Sequence, residues 1–162
     1  MAGQRGEHVM STVVVLIATL VLTLGVTLPA LAPYHNQPNP AAENPLDKAR
    51  AQLNTAKTHA GFAAAAGGLS GVQQHTGHAT NCLVGADDRR FERKWGNVCE
   101  GQGSGALVDL KATGARGADA LKIAEEAAKV GLDTLSKTDL AAAQAGAKKL
   151  AGMLDDVLKA LR

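Results

Sequence analysis

The most pointed chemistry in this sequence belongs to three histidines. His59, His75 and His78 fall in two stretches that read as consecutive helices separated by Gly67-Gly68. His75 and His78 are three residues apart, a spacing that puts both imidazoles on one face of a helix. Cys82 follows four residues after His78, on the same stripe. If the glycines make a tight antiparallel turn that pivots near Gly68, His59 lies nine residues before the pivot, and His75 and His78 lie seven and ten after it. The three rings then stand at about the same height on neighbouring helices, with His75 on the apolar seam and His59 and His78 flanking it. Neutral imidazoles gathered in this way suit Cu, Zn or Ni, and haem if one ring reaches each side of the iron. The competing account has the seam histidine satisfied by a backbone carbonyl while the other two sit in water. No Cys-x-x-Cys-His is present, which excludes covalently attached c-type haem. No Asp or Glu joins the three, which argues against a di-iron carboxylate centre.

The cysteines are the next candidates for chemistry. Cys82 and Cys99 are the only two in the chain. Their separation is unlike a redox Cys-x-x-Cys, so a disulfide is the expected state, with a pair of thiolate ligands as the alternative. A bridge would close the segment between them and stabilise the fold by about 3 kcal/mol. Gly101-Gln102-Gly103-Ser104-Gly105 precedes a helix but matches neither the Walker spacing nor the dinucleotide fingerprint, and no strand leads into it. Helix entry and a tight turn account for it better than anion binding. No Gly-x-Ser-x-Gly elbow and no Ser/His/Asp order stands out. No catalytic residue is assigned, and the sequence reads as that of a protein that is not an enzyme.

The elements that must position these residues are helical. Asn44-Pro45-Leu46-Asp47 is a strong helix start, with a capping side chain, a proline suited to the first helical position and an acid near the positive end of the dipole. Leu46, Ala49, Leu53, Ala56, Ala60 and Ala63 then recur at helical spacing. A second helix is expected from about Ser70 to Val84, with Val72, His75, Ala79 and Cys82 on its stripe and Gly85 as its stop. Residues 85–103 read as an irregular loop that the disulfide closes. It holds the charge-balanced Asp87-Asp88-Arg89-Arg90-Phe91-Glu92-Arg93-Lys94, a solvated loop that could also dock a partner.

Ser104 can cap a third helix with the seam Leu107, Leu110, Gly114, Gly117, Leu121, Ala124 and Ala128. Its two glycines imply either close backbone approach or a break into two helices. Gly131 through Lys137 is expected to be a turn. Ser136-Lys137-Thr138-Asp139 then leads into a last helix seamed by Leu140, Ala143, Ala147, Leu150, Leu154, Val157 and Leu161. No stretch alternates at period two. The expected fold is all-α: an up-down bundle of about four helices spanning residues 44–162, preceded by a leader.

That leader, residues 1–33, sets the compartment. Arg5 precedes a run without charge from Val9 to Tyr34, and the stretch through Leu31 is almost wholly apolar. Ala30-Leu31-Ala32 resembles a cleavage site, but Pro33 follows it, and the run is close to the length that spans a bilayer. A cleaved signal peptide and an uncleaved anchor at residues 9–32 both fit. Either one places the rest of the chain outside the cytoplasm, in the periplasm or at the cell surface. Residues 34–43 read as a stiff polar linker that holds His35.

A formal charge of +2 and an aromatic content of 2% argue against a nucleic-acid partner, which wants a concentrated basic face or a stacking platform. The partners expected are the membrane, through the leader, and a protein of the cell envelope.

His59-Ala60, His75-x-x-His78-x-x-Asn81-Cys82-Leu83-Val84-Gly85, Cys99 and the Gly-rich turn together resemble uncharacterised exported bacterial helical proteins over roughly residues 59–110. The resemblance brings no known activity. Two readings of the chain follow. It is an exported bundle, secreted or membrane-tethered, that binds a transition metal, with haem as the lesser choice, through its histidine cluster. Alternatively it is a non-catalytic accessory protein of an envelope assembly.

Overall fold

The structure, a computed structural model, describes residues 44–162. The leader at 1–33 and the linker at 34–43, with the signal, anchor and cleavage-site expectations attached to them, lie outside the described residues. Those described are helical and contain no strand. The helices are α1 (Pro45–Ala65), α2 (Leu69–Val84), α3 (Ala106–Ala112), α4 (Ala118–Leu135) and α5 (Leu140–Ala160). None is long and apolar enough to cross a membrane.

Local signals explain most of these bounds. The Asn44 side chain accepts from the Leu46 amide, with Pro45 in the first position of α1. Every expected seam position from Ala49 to Ala63 is fully buried. At α5 the cap is Asp139, whose carboxylate accepts from the amides of Ala141 and Ala142. Ser136 instead closes the end of α4 by donating to the Asp133 carbonyl. The α5 seam from Ala143 to Leu161 is buried as its spacing requires.

Five helices replace the expected four because the third breaks in two. Gly114 takes a positive φ of 62°, and Gly114–Gly117 forms a 3-10 turn between α3 and α4. Ser104 does not cap α3, which starts without a side-chain cap. Gly131 is not a turn residue either. It lies inside α4 and is buried, and a side chain there would collide with Thr80 of α2. Gly146 of α5 makes room for Thr134 of α4 in the same way. Small residues thus let backbones approach where large aromatics are absent.

Helix α1 packs against α2 and α5, and α4 packs against α5 and α2, so each long helix has two long neighbours; α3 lies against α1 and α4. Leu53, Leu83, Leu110, Leu150 and Leu154 fill the centre. Helix ends are tied across the fold, with Gln144 of α5 donating to the Ala66 carbonyl at 2.8 Å and Gln73 of α2 to the Lys137 carbonyl at 3.2 Å. These side chains satisfy carbonyls that the helices leave without an internal partner.

Candidate metal centre

The connection Ala66-Gly67-Gly68 is short, so α1 and α2 form an antiparallel pair. Its middle residue, Gly67, is eight residues from both His59 and His75 and eleven from His78. A turn that pivots between Gly67 and Gly68 brings His59 level with the interval between the two histidines of α2, and it does touch both. Its Nδ1 lies 3.3 Å from Nδ1 of His75 and 3.2 Å from Nδ1 of His78. One donor atom from each of the three residues lies within 4.8 Å of the others. The rings meet edge to face: His59 and His78 have centroids 4.7 Å apart at 84°. His75 and His78 stand 5.8 Å apart at 72°.

The expected convergence is present, with one correction. His75 is not the middle ligand on a buried seam. It is half-buried, and Thr76 takes the fully buried position beside it. His59 is the middle one, since its Nδ1 approaches the Nδ1 of both of the others.

Three half-buried imidazoles facing one another can share hydrogen bonds only as neutral rings, in tautomers that set a donor against an acceptor. Partial burial lowers the pKa of His59, and the charges that His78 and His75 would carry lower it further. Burial and His75 lower that of His78 too, against an opposing hydrogen bond that its ring donates to the backbone of Trp95. Both shifts favour the neutral ring, the form with a lone pair for a ligand. Ligands about 2.0–2.1 Å from a tetrahedral ion lie roughly 3.3 Å apart. Two edges of the cluster already have that length.

Two aromatic residues that the sequence reading left out border the cluster. Phe62, one turn after His59 on the same face, is 52% exposed and sets its ring edge-on to His59 and His75 at 5.7 and 5.4 Å. Its spacing of three from His59 was the signal available. Trp95 comes from the loop after α2 and packs directly on Gly77, where any side chain would strike the indole. No local pattern links Trp95 to His78, since the contact depends on how the loop folds back.

The loop is held there by two devices. Cys82 and Cys99 are joined in a disulfide, with their Cα atoms 5.4 Å apart. Buried Asn81 donates to the carbonyls of Glu92 and Gly96 at 2.9 and 2.7 Å and accepts from the Glu92 amide at 3.1 Å. Within the loop, Arg90 grips Asp88 through two nitrogens, and its hydrogen bond lowers the Asp88 carboxyl to about 2. The Gly-rich turn is occupied from within. The Ser104 amide donates to Asp109, the Gly105 amide donates to Gln52, and Gln52 donates to Asp109 at 2.5 Å. Those amides are spent on the protein's own side chains and form no anion cradle.

No family model matches this chain, and comparison with the curated proteins and with the solved structures returns no similar protein.

Proposed function

We propose that this chain is an exported helical-bundle protein that binds one transition-metal ion, Cu(II), Zn(II) or Ni(II), through His59, His75 and His78. The observation that carries the reading is the meeting of three ring nitrogens from two helices at 3.2 and 3.3 Å, with burial lowering the pKa of two of the rings. Imidazole nitrogen suits these metals. A bare ion fits better than haem. An iron porphyrin needs its axial ligands on opposite faces with a slot between them, whereas these nitrogens converge on one point. Export rests on the uncharged run from Val9 to Tyr34 after Arg5, and the disulfide fits an oxidising compartment. The up-down bundle is the natural reading of the neighbour relations among the four long helices.

Calorimetry on the full chain tests the metal reading. Cu(II), Zn(II) or Ni(II) should bind at one ion per chain, and affinity should fall by about 100-fold or more in His59→Ala. Trp95 is the only tryptophan and sits against the residue beside His78, so Cu(II) should also quench its fluorescence. An absence of binding, or parental binding in His59→Ala, His75→Ala and His78→Ala, overturns the reading in favour of an accessory protein without a metal.

A further inference from the structure

The donor count of the centre sets what a bound ion would do next. Among the described residues the cluster contains His59, His75 and His78 and no fourth histidine, cysteine, aspartate or glutamate. Structural zinc sites close with four protein ligands, whereas three-ligand sites leave a position for water or another small molecule. The three rings are only half-buried, and the Phe62 beside two of them is 52% exposed. The cluster therefore opens toward solvent instead of being sealed in the core.

The charge of the donor set narrows the class of exogenous ligand. Three neutral imidazoles leave the full double charge on a divalent ion. Among the described residues no Asp or Glu belongs to the cluster to offset it. A small anion meets that charge where a neutral molecule cannot. Size is limited by the flanking groups. Phe62 stands edge-on to His59 and His75, and Trp95 covers Gly77 next to His78.

We infer that the metal held by His59, His75 and His78 keeps one coordination position open and takes a small exchangeable anion there, which makes the centre a ligand-binding site and not a structural staple. The inference rests on the metal reading above and goes beyond it, because a metal could bind and yet be closed off.

The test uses the full chain loaded with one Cu(II), titrated with azide. Expected is a saturable azide-to-copper charge-transfer band, with a matching change in the copper electron-paramagnetic-resonance spectrum, and no band in the metal-free chain. Copper binding without any azide response overturns the inference while leaving the metal reading intact. So does an azide response that appears only in His35→Ala, because a histidine outside the three would then be closing the site. A copper-dependent dimer that excludes azide overturns it too, since a second copy would be supplying the fourth ligand. Failure to bind copper at all is a separate result and removes the metal reading itself.

Discussion

Helices α1 and α2 carry two polar clusters, and the chain treats them in opposite ways. At one end of the pair, Gln52 and Asn81 are almost completely buried, and each meets complementary partners in the loop and at the start of α3. Two turns along α1 and one turn back along α2, the three histidines are half-exposed and face one another. An amide side chain carries both donors and acceptors, so the protein can satisfy it internally. Neutral imidazoles set nitrogen to nitrogen can pair only in part, since each ring has one donor and one acceptor. The first cluster is finished by the fold. The second leaves ring nitrogens facing one another at half-exposed positions, where the proposed metal would find them.

The difference can be broken by mutation, and the largest effect on stability should come from the device that serves both clusters. Replacing Cys82 and Cys99 with serine should cost about 3 kcal/mol, seen as a melting temperature lower by roughly 10 °C. It should also weaken Cu(II) binding by about 10-fold, because Trp95 is then free to leave Gly77 and His78. Unchanged metal affinity in the reduced-stability variant would detach the loop from the centre.

Gln52→Ala leaves the Gly105 amide without its side-chain acceptor and the Asp109 carboxylate with only the Ser104 amide, and should cost about 2 kcal/mol by denaturant unfolding. Metal affinity in that variant should stay within about twofold of the parent, since mutations at well-separated sites act independently. A comparable loss of copper binding would merge the two clusters into one.

His59→Ala reverses the pattern. Its stability in the absence of metal should move by no more than about 0.5 kcal/mol, while metal affinity drops most of all. With copper present at about 100 times its dissociation constant, the parent should gain about 2.7 kcal/mol and the variant should gain almost nothing.

The smallest effect is the pH dependence of the metal-free fold. His59 and His78 have pKa values lowered from 6.5 in the folded state. Above 6.5 these rings are neutral whether the chain is folded or not, and they add no pH dependence. As pH falls through 6.5 toward the lower folded values, the unfolded chain takes up protons first, so stability declines. Thermal melts between about pH 7 and pH 5 should show that decline, and His59→Ala should flatten it. An equal slope in the variant would mean that carboxylates elsewhere set the acid response.

Much of this was legible in the sequence. Helix α1 could be read from Asn44-Pro45 and its alanine stripe, α5 from its heptad leucines, and the end of α2 from Gly85. Those signals act within a few residues, through caps, periodicity and backbone freedom. Gly131 misled for the opposite reason. A glycine that lets Thr80 of a neighbouring helix approach looks, along the chain, like one that ends a helix. Gln52 and Asn81 carried a weaker signal, as polar residues beside apolar seams, whose partners in the loop and in α3 lie 11 or more residues away.

For the centre itself, the amino-acid sequence determined that three imidazoles would meet. Residue spacing fixes the azimuth and height of a side chain on its own helix, and a two-glycine turn ties the heights of two helices together. What the tertiary structure alone decided was their order and their frame: His59 in the middle, Thr76 rather than His75 in the core, and Phe62 and Trp95 as flanks. Moving the pivot of the turn by one residue changes the register of the two helices by two residues, about 3 Å along the axis, enough to change which ring is central.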